Sequence, residues 1–398
     1  MSIKPLTIKD PIHGYIELDR LEAAIVDSRW FQRMKHVRQN DVSSSVYPTM
    51  QGTRFEHSLG VMHIAGKCMR MALEKNTNDS KEFIKQFKIE LDVRHSSLSG
   101  YIDSTDTMLI EIAVRVARLY GALHDIGHPP YSHLLERSIQ FEKIDPENYE
   151  KYRNEADKWH EINGGLIVSN HLLSDNPIKF SADEELRLEC VKALATKEGE
   201  VPPALKSIQQ LVDAVIDTDR MDFVLRDGRT SASDFGIYDI NRLIQSFRVV
   251  VDNRGTERPV EIFIRPSSSA LSAIESLLQE RQKIYRWVHF HHRVILTKAL
   301  MRFVIQHLVE GIGDRIRIDR SYLQAKNYAP DVKSNLPYLY LGDSYIDGLL
   351  VSSLKFLRQK EPQKRSALRL LFEFYYCEKS THYLHGKDLM NSLNLTEY

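Results

Sequence analysis

Apolar residues recur at intervals of three and four along most of the chain, and that spacing predicts a mainly helical protein. From Leu21 to Arg38 the repeat runs through Ile25, Trp30, Phe31, Met34 and Val37, and a polar loop over Asn40 to Thr53 follows. Arg54 to Lys75 reads as a helix with Leu59, Met62, Ile64, Ala65, Met69 and Leu73 on its buried face. Thr107 to His124 is strongly apolar at the same spacing, and the prolines of Gly127-His128-Pro129-Pro130 forbid its continuation. Further helices are expected at about 159–173, 183–195, 205–226, 239–247, 269–311, 340–358 and 364–378. Two places break the helical period. Asp10 to Leu18 reads as a short strand or hairpin, and Val249–Val251 with Val260–Ile264, around Asp252-Asn253-Arg254-Gly255, reads as the one strong β-hairpin. The stretch near 76–105 is polar and mixed, more like an insertion than core. Residues 1–310 are taken as one domain and 311–398 as a mainly helical C-terminal region.

Composition then narrows the function. Lys plus Arg and Asp plus Glu both total 54, so no global field draws the chain to nucleic acid or acidic lipid, and any polyanion must be held locally. Lys355, Arg358, Lys360, Lys364, Arg365 and Arg369 form the one basic patch, which allows nucleic acid as a less favoured partner. Three scattered cysteines, Cys68, Cys190 and Cys377, argue against a disulfide framework and for a reducing compartment. No apolar run approaches the roughly 18 residues of a membrane span, so the expectation is a cytoplasmic protein with no membrane partner.

The candidate chemistry starts at His124-Asp125, an imidazole and a carboxylate side by side at the end of an apolar helix, where packing alone requires neither. Such donors suit Zn, Fe or Mn, and a bound divalent ion needs at least two further protein ligands. His57 lies upstream on a separate amphipathic helix. Downstream, Asp217, Asp219 and Asp222 fall within another apolar segment, where unpaired carboxylates are costly. Asp222 and Arg226 are spaced to pair at i,i+4, which leaves Asp219 as the better ligand. His128 and His133 follow closely, then His160, with Glu136 and Glu161 beside them. An imidazolium held by a carboxylate can protonate a leaving oxygen.

The blocks Arg54-Phe55-Glu56-His57-Ser58-Leu59-Gly60, Leu123-His124-Asp125-Ile126-Gly127-His128, Trp159-His160-Glu161 and Asp217-Thr218-Asp219-Arg220-Met221-Asp222-Phe223 stand in an order that resembles the HD-domain deoxynucleoside triphosphate triphosphohydrolases. Asp10-Pro11-Ile12-His13-Gly14 and Phe31-Gln32-Arg33 are similar to the branch typified by the vertebrate SAM-and-HD-domain enzyme, and the likeness covers roughly residues 8–305. The resemblance implies an HD-type helical fold and hydrolysis of a dNTP to deoxynucleoside and inorganic triphosphate. It assigns the metal to His57, His124, Asp125 and Asp219, with Mn, Fe or Zn there and Mg accompanying the substrate. It makes His160 the proton donor, places His133, Glu136 and His128 around the phosphates, and gives phosphate contacts to Arg54, Arg220, Arg281 and His291. Asp227, Phe223 and Gln39 fall to the sugar. Glu136 stands where the family often has Asp, Arg220 replaces Lys and Phe223 replaces Tyr.

The same branch carries an activating nucleotide site at subunit contacts, which implies a homo-oligomer, dimer or tetramer. Asp27 and Gln32 match that site, whereas Lys35 replaces Arg and Lys9 replaces Asn. Balancing dNTP pools and starving a phage of precursors are both uses within the family. Two other classes stay open from the sequence: an HD-type phosphodiesterase or nuclease acting on cyclic dinucleotides or single strands, and a nucleotide-sensing partner with weak catalysis.

Overall fold

Two long helices, Arg54–Glu74 and Asp106–Leu123, pack along each other at the centre of the computed structural model. The structure describes residues 6–75, 77–94, 105–138, 159–173, 179–196, 201–252, 261–311, 318 and 342–360. The Arg54–Glu74 helix begins with a capping box in which the Glu56 carboxylate accepts the Thr53 amide at 2.9 Å. It is apolar on nearly every face because it is enclosed by Asp106–Leu123, the helices Thr218–Thr230 and Ile240–Ser246, and the strand Phe247–Asp252. Among the described residues, no helix is long and apolar enough to cross a membrane, and Cys68 and Cys190 are buried.

Among the described residues there are two small antiparallel hairpins, at the two places where the helical period breaks. Leu6–Asp10 pairs with Gly14–Leu18, and the Asp10 carboxylate accepts the amides of Ile12 and His13 across the turn at 2.8 and 2.9 Å. Gly14 leaves that turn at φ +78°. Phe247–Asp252 pairs with Glu261–Pro266, and residues 253–260 of the expected connection lie outside the described residues.

Periodicity places the helices but misses several breaks. The Leu21–Arg38 segment divides into Arg20–Val26, Arg29–Arg33 and a 3-10 turn, because the Ser28 hydroxyl caps a new helix by accepting the Phe31 amide at 3.3 Å. The expected 205–226 helix is two, Pro203–Val212 and Thr218–Thr230. Asp217 caps the second, accepting the amides of Arg220 and Ala214 at 2.7 and 3.1 Å. The 269–311 segment is Leu271–Ile284, a π-helical turn over Tyr285–His289, and His292–Glu310. Each break leaves the spacing of apolar residues intact, so a pattern of periods alone runs through it.

The stretch read as more insertion than core contains the helix Asn78–Arg94. Its Phe83 and Phe87 are both fully buried and stack 5.6 Å apart. Its Glu90 carboxylate accepts the amides of Ala204 and Leu205 at 2.8 and 3.0 Å, satisfying donors at the start of the Pro203–Val212 helix that have no partner within it. Residues 95–104 lie outside the described residues.

At the other end, Asp343–Lys360 returns to the centre. Asp343 accepts the amides of Tyr131 and Arg38 at 2.7 and 3.2 Å, which ties this helix to the segment leading into the histidines. The expected 364–378 helix lies outside the described residues. Of the basic patch only the exposed Lys355 side chain is described. Phe87→Ala removes a filled core position and is expected to cost about 3–5 kcal/mol, read as a shift in the denaturant midpoint at unchanged slope; a change below about 0.5 kcal/mol would return this helix to the status of surface decoration.

Candidate active site

Three buried or half-buried donors meet, and a fourth adjoins them, from three directions. His57 lies one turn into Arg54–Glu74, His124-Asp125 ends Asp106–Leu123, and Asp219 opens Thr218–Thr230. His57 Nε2 is 2.9 Å from Asp219 Oδ1 and 3.7 Å from Asp125 Oδ2. His124 Nε2 is 3.4 Å from Asp125 Oδ2 and 4.0 Å from Asp219 Oδ1. The far nitrogen of each ring is occupied. His124 Nδ1 donates to the Gly121 carbonyl at 2.8 Å, and His57 Nδ1 donates to Asp222 Oδ2 at 2.8 Å. Both Nε2 atoms are buried without a hydrogen-bond partner, the state in which an imidazole offers its lone pair to a cation. Burial opposes a second proton on His57, but Asp219 and Asp222 outweigh it and raise its pKa to about 10. The cluster therefore demands positive charge at its centre; the donor atoms of His57, His124 and Asp125 lie within 4.8 Å of one another, as a shared metal ion requires, and Asp219 adjoins them at His57.

A second layer holds these donors. Asp222, fully buried, receives a two-pronged contact from Arg226 at 2.8 and 2.9 Å and the His13 Nε2 contact at 2.6 Å, in addition to His57. Arg226 reaches onward to Asp10 at 3.0 Å. The i,i+4 pair thus exists, and its carboxylate also orients a candidate ligand. Gly60, one turn beyond His57, lies against the Asp222 carboxylate, where any Cβ would collide with it. Burial would raise the Asp125 carboxyl, but Arg54, with His124 and His128, holds it well below the usual range. Arg54 pairs directly with Asp125 and donates to Ser132 Oγ at 2.7 Å.

The remaining histidines gather around Glu136. Its Oε2 accepts His133 Nδ1 at 2.8 Å, and its Oε1 accepts both the Nδ1 and the backbone amide of His160 at 2.9 Å. His128 stacks on His160 with ring centres 3.9 Å apart and lies 3.2 Å from Asp125 Oδ1. Burial lowers His160, yet Glu136 more than compensates and its pKa is raised; burial, with Arg54 and His160, holds His128 well below its ordinary value. Gly127 makes this proximity attainable, since a side chain there would strike the His160 carbonyl and Gly164. The longer arm of Glu136 serves both imidazoles at once, which its identity alone did not suggest.

These groups line a cavity of about 590 Å³, the size of a small-molecule site. Gln39, Arg54, Phe223 and Asp227 share its wall with His124, Asp125 and Asp219, whereas His57 is not among the lining residues. Gln39 Oε1 is buried without a partner, and Asp227 accepts from Asn40 Nδ2 at 2.6 Å while burial lifts its pKa to about 7. Three expected contacts are not on this wall. Arg220 is bound back to Asp217 and the Ala214 carbonyl, Arg281 lies over the Tyr285 ring at 4.7 Å, and His291 caps its own helix by accepting the Arg293 amide at 3.3 Å. Lys9, Asp27 and Lys35 are exposed, Gln32 donates to the Val26 carbonyl at 2.8 Å, and none of the four lines the cavity. The sequence reading missed His13 as a partner of Asp222, and Asp41, Arg137, His289, Lys298 and Arg302 on the wall. A lone His before Gly in a turn and cations spaced along a late helix carry no local signal for such placement.

Residues 54–216 match the HD domain model. An uncharacterized protein of Methanocaldococcus jannaschii is 30% identical over 304 residues, 76% of this chain and 50% of that protein. The deoxynucleoside triphosphate triphosphohydrolase SAMHD1 of Homo sapiens is 33% identical over 173 residues, 43% of this chain and 21% of that enzyme. The Mus musculus enzyme is 25% identical over 342 residues, 80% and 44%. This chain thus spans about half the length of the curated relatives it matches, and less of the vertebrate ones. The crystal structure of a hypothetical protein from Aquifex aeolicus superposes with a TM-score of 0.60 at 21% identity, over 95% of this chain and 76% of that one, which shows the shared fold. The span that matches the HD domain model, residues 54–216, holds His57, His124 and Asp125.

Proposed function

We propose that the protein is a metal-dependent phosphohydrolase that cleaves dNTPs to deoxynucleoside and inorganic triphosphate. The observation that carries this reading is the pair of buried, partnerless Nε2 atoms of His57 and His124, facing Asp125 and Asp219 beside a cavity rich in imidazoles. The named activity of the vertebrate relatives supports the dNTP as substrate.

His57, His124, Asp125 and Asp219 would hold a divalent ion such as Mn, Fe or Zn, which when bound would supply Lewis acidity and a lowered pKa for water at the site. The chain's own residues do the rest. Asp222 and Arg226 fix the His57 ring, and Arg54 balances the charge of Asp125 while facing the cavity. His160 keeps a proton on the imidazole because Glu136 holds its Nδ1, which leaves Nε2 to donate to the departing 5′-oxygen. Asp227 and Gln39 offer buried acceptors for sugar hydroxyls, and Phe223 offers an apolar edge. Nucleotide control through Lys9, Asp27, Gln32 and Lys35 at a contact between copies extends the same reading.

Incubation of the full chain with each dNTP, alone and in pairs, under Mn, Fe, Zn and Mg is expected to yield deoxynucleoside and triphosphate; release of mononucleotides from single-stranded DNA instead would replace this reading with a nuclease. Changing His124 and Asp125 together to Ala is expected to remove bound metal and turnover with helicity retained, measured by metal analysis and circular dichroism. Wild-type rates in that variant would refute the ligand set. His160→Ala should lower turnover by roughly 10² to 10⁴ with metal content preserved.

Glu136→Gln gives a prediction with a defined sign. The folded pKa of His160 is raised, so the Glu136 contact stabilises the fold fully below the ordinary imidazole pKa and is lost as pH rises through the folded value. The variant is therefore expected to titrate His160 at lower pH by NMR and to shift the alkaline limb of the rate profile downward. An unmoved titration would show that Glu136 does not hold that proton.

A further inference from the structure

The turn that leads from Asp125 to His133 is held in a conformation its residues resist. After Pro129-Pro130, Tyr131 and Ser132 have φ angles of +56° and +49°, so two successive residues with side chains occupy the left-handed region. Such a backbone persists only where its surroundings fix it. Tyr131 is fully buried, its amide donates to Asp343 Oδ1 at 2.7 Å, and its hydroxyl donates to Asp347. The second oxygen of Asp343 accepts the Arg38 amide at 3.2 Å. Burial lifts the Asp343 pKa to about 7, so this is a costly place for a carboxylate, and both of its oxygens are spent on backbone. Ile346 and Leu350 already bury the apolar side of Asp343–Lys360, so docking that helix requires no such group.

The two amides that Asp343 joins flank Arg54. The Arg54 amide donates to the Val37 carbonyl at 2.9 Å, next to Arg38. Arg54 Nε donates to Ser132 Oγ at 2.7 Å, and that hydroxyl donates to the Arg38 carbonyl at 3.1 Å. Arg54 then pairs with Asp125, and the helix carrying His133 and Glu136 starts at Ser132. We infer that Asp343 is a positioning residue for the hydrolytic site: it holds the left-handed turn against the Arg38 segment, and through Ser132 it aims Arg54 at Asp125. Asp343–Lys360 lies beyond the span 54–216 that matches the HD domain model, and it completes that site from behind. The inference rests on the hydrolase reading only for the reaction that reports it.

The test compares Asp343→Asn, which leaves one acceptor oxygen where two amides arrive, with Asp347→Asn, which alters the same helix and the same tyrosine but neither amide. In the full chain, with the metal it retains on purification and the dNTP it hydrolyses, Asp343→Asn is expected to lower kcat roughly 10²-fold, the scale of a displacement of about an ångström at a reacting centre. Bound metal should be unchanged, and kcat should fall by more than KM rises. Asp347→Asn should keep wild-type kcat even where its melting temperature falls as far. Ser132→Ala should also lower kcat, and adding it to Asp343→Asn should cost little more, because both break one chain of contacts. Wild-type kcat in Asp343→Asn with only a lowered melting temperature, equal losses in the two Asn variants, or additive losses in the double variant would overturn the proposal. The His133 ring signals in histidine-labelled protein give a reading without turnover: Asp343→Asn should shift them and Asp347→Asn should not. If they shift in that way and no nucleotide is hydrolysed, the positioning role stands and the hydrolase reading falls. Unmoved signals in Asp343→Asn, with dNTP hydrolysed at the wild-type rate, do the reverse.

Discussion

Three carboxylates, Asp125, Asp219 and Asp222, crowd one fully buried imidazole, and the surrounding structure is organised to tolerate that concentration of negative charge. Arg226 and His13 neutralise the side at Asp222, and Arg54 neutralises the side at Asp125. Only the space between the two Nε2 atoms lacks a fixed cation among the described residues. Buried charge without a partner is costly, so this one deficit is the strongest physical statement the fold makes about its occupant.

The neutralising groups come from far apart in the sequence. His13 and Asp10 arrive on a hairpin, Arg54 and His57 on the first turn of the central helix, and Asp222 and Arg226 on a helix more than 160 residues later. The glycines at 60 and 127 permit two of these approaches by bringing backbone against side chain and backbone against backbone. Packing between the Arg54–Glu74 and Asp106–Leu123 helices therefore does electrostatic duty as well as burying apolar surface.

Much of this was legible in the residues. His124-Asp125 at the end of an apolar helix, His57 on another and Asp219 after a run of acids are local anomalies, and anomalies of charge in apolar segments can be read without coordinates. Helix existence was equally readable, since Leu59 to Leu73 and Leu109 to Leu123 keep their period throughout. The breaks were not, because Ser28 and Asp217 act through single capping hydrogen bonds that leave the period undisturbed. The Asn78–Arg94 helix was obscured by composition: Phe83 and Phe87 anchor it within otherwise polar surroundings. Arg220, His291 and the partner role of His13 depend on which way a side chain turns, and sequence spacing carries no information on that.

Glu136 holds two rings with its two oxygens, and the second methylene of its side chain is what lets both oxygens be used from one backbone position. The orientations of the His160 and His133 rings are therefore tied to one side chain. A shorter acid at that position would have to abandon one ring or pull the Ser132–Ser138 helix inward, so evolutionary exchange of Glu for Asp here requires a compensating move of backbone elsewhere.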